Sequence, residues 1–119
     1  MSREYVISLP WPPSLNHYWR NHHGRMLLSR DGRQYRDEAA LALKLAGVRS
    51  FGSARLAVEV EVRPPDRRRR DLDNLGKAVL DALTAGGVYD DDSQIDDLRI
   101  VRGPVTAGGE VVVVVRSKE

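Results

Sequence analysis

The chain has 119 residues, 41% of them hydrophobic and 30% charged, a composition that fits one folded domain and excludes disordered and collagen-like chains. Its apolar runs, such as residues 111–115, fall far short of the ~20 residues a membrane helix needs, and no basic, apolar and small-residue succession suggests a secretory signal. Cysteine is absent, which removes disulfides and thiolate chemistry, so a reducing, cytoplasmic setting without membrane contact is expected.

In chain order, residues 5–9 alternate apolar and small polar side chains and read as a short strand, stopped by Pro10, Pro12 and Pro13. Residues 14–29 are polar and irregular, a loop with at most a short strand at 26–28, and Ser29 is placed to cap the next element. Residues 35–46 predict an amphipathic helix with Tyr35, Ala39, Ala42 and Ala46 on its inner stripe, Leu41 and Leu45 beside it, and Gly47 at its end. Leu56, Val58, Val60 and Val62 alternate with Ala57, Glu59, Glu61 and Arg63, a half-buried strand that Pro64 and Pro65 stop.

A second helix is marked by Leu72, Leu75, Val79, Ala82 and Leu83, with Asp71 as its N-cap and Gly86 and Gly87 closing it. Residues 95–102 and 110–116 are the last two strands. The run of valines at 111–115 is apolar on both faces, which puts it either at the centre of a sheet or under a partner. The expected fold is α+β: one domain over residues 1–119, with a mixed sheet packed against two helices.

The net charge of +2 and the isoelectric point of about 9.2 permit a nucleic-acid partner without demanding one. The segregation of charge says more. Arg67, Arg68, Arg69 and Arg70 run directly into Asp71 and Asp73, and Lys77 lies one turn beyond Asp73 on the same helical face. A second acidic cluster, Asp90, Asp91 and Asp92, opens the strand that begins near Ile95.

If that strand packs beside the helix, one of its acids approaches Asp71 and Asp73. Three converging carboxylates repel one another, and a hard divalent cation relieves the conflict. Oxygen-only ligands favour Mg²⁺ or Mn²⁺ over zinc. Such an ion polarises a phosphodiester and activates water, while Lys77 and the arginines meet phosphate charge.

Taken singly, each feature has a bland reading. An Asp at a helix start is usually a cap, and an exposed i,i+4 pair is worth ~0.3–0.5 kcal/mol. Asp-rich turns are common, and an arginine run is often only solvated. Together they are harder to dismiss, because acids beside an arginine-rich surface oppose DNA binding unless a cation bridges them to phosphate. His17, His22 and His23 lack metal spacing, no glycine-rich phosphate loop is present, and Trp11 between prolines reads as a core plug before a base-stacking platform.

The segments Leu9-Pro10-Trp11-Pro12-Pro13-Ser14 with Asn16, and Pro65-Asp66-Arg67-Arg68-Arg69-Arg70-Asp71-Leu72-Asp73-Asn74-Leu75 with Lys77, resemble those of the RusA Holliday junction resolvases. So do Asp81-Ala82-Leu83-Thr84, Asp91-Asp92 with Gln94, and Pro104-Val105-Thr106. The resemblance implies a homodimeric, Mg²⁺-dependent endonuclease, with Mn²⁺ as a substitute ion, that resolves four-way DNA junctions by paired nicks in recombination and repair. It implies Asp71, Asp73 and Asp92 as metal-binding catalytic acids, Asp91 as a supporting ligand and Lys77 as the essential cation. Arg67, Arg68, Arg69 and Arg70, with Arg70 nearest the scissile phosphate, would bind DNA together with Asn16 and Arg20.

Gly76 departs from the family pattern, and glycine inside a helix costs ~1 kcal/mol relative to alanine. Asp90 adds a third consecutive acid. Two rivals stand beside this reading: a non-catalytic junction-binding module, and a metal-dependent nuclease for other branched or duplex DNA. Composition alone does not exclude RNA.

Overall fold

In a computed structural model, residues 3–118 are described, with Leu15 and Asn16 described in backbone only. Four strands form a sheet in the order β1-β6-β4-β5: β1 (Glu4–Leu9), β4 (Leu56–Arg63), β5 (Ile95–Arg102) and β6 (Glu110–Ser117). Two long helices, α2 (Arg30–Leu45) and α3 (Leu72–Ala85), cover one face. The expected α+β arrangement of a mixed sheet against two helices is what the chain adopts.

The valine-rich strand β6 is central, antiparallel to β1 on one side and to β4 on the other. It is thus the centre of the sheet, and one of its two apolar faces is covered inside the chain. Val111, Val113 and Val115 are fully buried on the helix side, beside Val58, Val60 and Val62 of β4 and Ile7 and Leu9 of β1. The other face of the sheet stays open, with Val6 and Glu59 among its residues.

Strand β5 is the one parallel partner, running beside β4 at the sheet's edge, with α3 as the crossover between them. A parallel pair requires such a crossover, and it forces α3 to run back along the whole length of the sheet.

Residues 14–29 are more ordered than their composition suggests. A one-turn helix α1 (Leu15–Tyr18) is followed by a hairpin of β2 (Trp19–His22) and β3 (Arg25–Leu28). Its two-residue turn has His23 and Gly24 at φ 51° and 77°, the double left-handed conformation that matches the twist of paired strands. Asn21 braces it by accepting the Gly24 N–H at 3.1 Å.

Ser29 caps α2 as expected, its hydroxyl accepting the Gly32 N–H at 2.9 Å. The helix thus begins at Arg30, ahead of the expected start at residue 35. Its buried stripe is Gly32, Tyr35, Ala39 and Leu43, whereas Leu41 and Leu45 are 56% and 79% exposed. The expected inner stripe holds at Tyr35, Ala39 and the partly buried Ala42, while Ala46 and the flanking Leu41 and Leu45 lie outside it.

Candidate active site

The chain that leaves β4 turns at Pro64 and Pro65 into the arginine run and then into α3. The four arginines are not equivalent. Arg70 folds inward: its guanidinium pairs with Asp66 at 2.8 Å, bonds the Asp66 and Arg68 carbonyls at 3.3 Å, and lies 5.5 Å from the centre of the Trp11 ring. Hydrogen bonds from the Arg70 side chain and the Arg68 amide hold the Asp66 carboxyl below the usual carboxylate range. Arg70 is thus the internal strut of the loop. Arg67, Arg68 and Arg69 project into solvent.

This loop faces the segment after β1 across a cleft of about 770 Å³. Trp11, Pro12, Pro13 and His17 form one wall; Arg68, Arg69 and Asp71 stand on the other. Trp11 is partly buried against the core, as the core-plug reading expects, yet it also lines the cleft. Gly109 backs it closely: a Cβ there would lie 2.8 Å from the Trp11 side chain, and the glycine's φ of +73° suits no other residue well. The Ser14 hydroxyl and the His17 ring are 3.1 Å apart, a local contact across the first turn of α1. The sequence signal for this wall was the proline-flanked tryptophan itself.

Asp71 occupies the N-cap position of α3, but its carboxylate makes no capping hydrogen bond. The expectation that it caps through its side chain is corrected. A polar cap contributes ~1 kcal/mol when it forms, so an exposed aspartate that leaves this role open is available to an external cation. Asp73, in the first turn, is also exposed, with one oxygen accepting the neighbouring Asn74 N–H at 3.0 Å. Lys77 is exposed one turn further on. Leu75 and Val79 face the core, and Gly76 packs against Ile100 of β5, whose δ-methyl fills the space a Cβ would take. The glycine that weakens the helix thereby brings α3 close to β5.

The second acidic cluster lies elsewhere. Asp91 caps a short 3₁₀ turn (Asp92–Gln94) by accepting the Ser93 N–H at 3.0 Å, and Gln94 returns a bond to the Asp91 amide at 2.9 Å. Bonds from the Ser93 hydroxyl and amide hold the Asp91 carboxyl below its ordinary range. Asp90 and Asp92 are exposed. Gln94 anchors the turn to the Gly52 and Ala54 carbonyls, beside the start of β4.

Asp71 and Asp73 are at the opposite end of the sheet, where Arg102 at the end of β5 bonds the Arg70 carbonyl at 2.9 Å. Among the described residues no three His, Cys, Asp or Glu side chains form a group able to hold a metal. The expectation that Asp92 approaches Asp71 and Asp73 is therefore corrected for a single chain. The parallel crossover separates them by the length of α3.

Arg20 stands exposed on the β2–β3 hairpin, away from the cleft walls. The Asn16 side chain lies outside the described residues. Asp81, part of the family-like pattern, proves structural: Arg36 of α2 grips it with bonds of 2.8 and 2.7 Å, and the Tyr18 hydroxyl donates to it as well. That cluster ties α1, α2 and α3 together. No helix of the described residues is long and apolar enough to cross a membrane.

Comparison with known proteins places these features in a family. The family model described as Endodeoxyribonuclease RusA matches residues 10–116. The chain is 48% identical over 107 residues to the crossover junction endodeoxyribonuclease RusA of Escherichia coli strain K12, covering 90% of this chain and 89% of that one. The corresponding proteins of Shigella sonnei strain Ss046 and Enterobacteria phage 82 are 47% and 48% identical over the same shares.

Proposed function

The chain belongs to the RusA family of endodeoxyribonucleases, and we propose that it acts, as one domain over residues 1–119, by nicking paired strands of four-way DNA junctions. The observation that carries the reading is the pair Asp71 and Asp73, an uncapped and an exposed carboxylate at a helix entrance, set at the rim of an arginine-lined cleft. The names of its relatives support the junction as substrate and cleavage as the outcome.

The donor set is oxygen-only, which suits a hard divalent cation: Mg²⁺, with Mn²⁺ as a substitute. Asp71 and Asp73 would hold it, with the partner's Asp92 completing the set in a homodimer, since the two groups lie apart within one chain. When bound, such an ion supplies Lewis-acid polarisation of the phosphodiester and lowers the pKa of a water.

The remaining work falls to the chain's own side chains. Arg67, Arg68 and Arg69 take neighbouring phosphates, while Arg70 keeps the loop in shape through Asp66 and Trp11. Lys77, one turn beyond Asp73, offsets charge that develops on the phosphoryl oxygens. Asp91 positions Asp92 by fixing the 3₁₀ turn. A homodimer presents two equivalent centres to the two strands of like polarity that paired nicking requires.

The test is incubation of the purified protein with a synthetic mobile junction, with and without Mg²⁺. Symmetric, ligatable nicks that require the ion are expected. Binding without nicking would make the chain a junction-binding module, and equal cutting of flaps or plain duplex would make it a nuclease of other specificity.

A further inference from the structure

Three charged residues of α3 fall four apart on one stripe of the helix: Asp73, Lys77 and Asp81. Residues at this spacing are neighbours on a helix surface, so the Lys77 ammonium has two carboxylates of its own chain within reach. Helical side chains lean toward the amino end of their helix, which aims Asp81 back along the stripe at Lys77. A lysine drawn into an ion pair on this stripe is withheld from phosphate.

The two acids differ in what holds them. Asp73 is exposed at the entrance of α3. Asp81 is committed to the neighbouring helices. Arg36 of α2 grips it with two branches of its fork, one nitrogen donating to Oδ2 at 2.8 Å and another to Oδ1 at 2.7 Å. The Tyr18 hydroxyl donates to Oδ2 as well, so both carboxylate oxygens are engaged from the α1 and α2 side. Trp19 lies with its ring centre 5.9 Å from the Arg36 guanidinium and steadies it. Among the described residues the cation that Asp81 meets is Arg36, and the two side chains are 33% (Arg36) and 21% (Asp81) exposed. A bidentate fork of this kind fixes its carboxylate in one geometry. A partly buried ion pair adds little net stability over an apolar pair of the same volume, so tying α2 to α3 does not by itself call for charges.

Resting on the nuclease reading above, we propose that Arg36 is a positioning residue for cleavage: by neutralising Asp81 it keeps Lys77 free to meet the charge that develops on the phosphate. Arg36 acts through Asp81 and Lys77, without contact to the reacting atoms. The role predicts an asymmetry between two changes that break the same ion pair. Loss of the Arg36 charge leaves a bare carboxylate one turn from Lys77, whereas loss of the Asp81 charge leaves none.

The experiment measures single-turnover cleavage of the mobile junction in Mg²⁺ by full-length Arg36→Gln, Arg36→Lys, Asp81→Asn and the double variant Arg36→Gln/Asp81→Asn, at equal concentrations of folded protein. Junction affinity is measured alongside, without Mg²⁺. Arg36→Gln should cleave about fivefold more slowly, the scale of a single ion pair in water, at unchanged affinity. Arg36→Lys and Asp81→Asn should keep the wild-type rate, and the double variant should recover it although the ion pair is still missing. Equal slowing in Arg36→Gln and Asp81→Asn would overturn the proposal and leave the pair a tie between helices. A double variant as slow as Arg36→Gln would overturn it too. A wild-type protein that cuts no junction would overturn the nuclease reading, and this role with it.

A second measurement follows Lys77 without cleavage. The chain's lysines are Lys44, Lys77 and Lys118, so acylation of the folded protein by acetic anhydride can be read for each by peptide mass spectrometry. An ammonium held by a carboxylate gives up its proton less readily and reacts more slowly. Relative to Lys44, Lys77 should lose reactivity in Arg36→Gln and regain it in the double variant. Unchanged relative reactivity in Arg36→Gln would contradict the capture of Lys77 by Asp81.

Discussion

Arg102 donates to the main-chain carbonyl of Arg70 at 2.9 Å, pinning the last residue of β5 to the entrance of α3. This bond fixes which end of the sheet carries which chemistry. The strand that starts beside Asp92 finishes beside Asp71, so a single chain holds the two halves of the acidic set apart.

Asp73→Asn should abolish cleavage while leaving junction binding in place. The loss should be on the order of 100-fold or more, the scale of removing one preorganised charge-stabilising group. Cleavage assays and gel-shift titrations on the same junction separate the two effects. Retained cleavage in Mg²⁺ would remove Asp73 from the centre.

Lys77→Ala should lower turnover more than affinity, because the ammonium is placed to meet charge that grows on the phosphate during the reaction. Single-turnover rates and equilibrium binding provide the comparison. Equal losses would recast Lys77 as a docking residue.

The arginines should divide by role. Arg68→Ala and Arg69→Ala should each reduce the salt dependence of DNA binding by about one unit of slope in log K against log salt, with little change in stability. Arg70→Ala should lower the melting temperature as well, since it leaves Asp66 without its partner and uncovers Trp11.

Asp81→Ala should destabilise the fold by about 1–3 kcal/mol, the cost of leaving a half-buried charged hydrogen-bonding group unpaired. Arg36 and Tyr18 both lose their acceptor. Urea denaturation measures the change, and DNA affinity per folded molecule should be unaffected.

Alkaline pH should weaken the fold through its buried phenols. Burial, and for Tyr18 the bond to Asp81, raises Tyr18 and Tyr35 well above the ordinary value of 10.0, and burial takes Tyr89 to about 12. The unfolded chain therefore releases these protons first. Their contribution is complete below pH 10 and falls as pH rises through about 12 and beyond. Denaturation midpoints measured from pH 8 upward should show this decline, and Tyr18→Phe should flatten it.

The sequence and the structure agree where periodicity is strong. Alternation over residues 56–63 and the apolar stripe of α3 were readable because each element buries one clear face. The start of α2 is obscured by its polar first turn, and although Tyr35, Ala39 and Ala42 do face inward, the flanking Leu41 and Leu45 face solvent. The hairpin carried no alternation in Trp19, Arg20, Asn21 and His22, and its His23-Gly24 turn lacks the usual asparagine or aspartate before glycine. The distance between the acidic groups was hidden for a different reason. Residue order places Asp92 soon after α3, but only the parallel pairing of β4 and β5 reveals that the helix has carried the chain to the far end of the sheet.

Diffraction from crystals of the Mn²⁺-loaded protein, with the ions located by their anomalous scattering, would examine the centre directly. The expected map shows an ion between Asp71 and Asp73 of one protomer and the partner's Asp92, repeated by the two-fold axis. An ion held by Asp71 and Asp73 alone, with Asp92 of both protomers remote from it, would contradict the account.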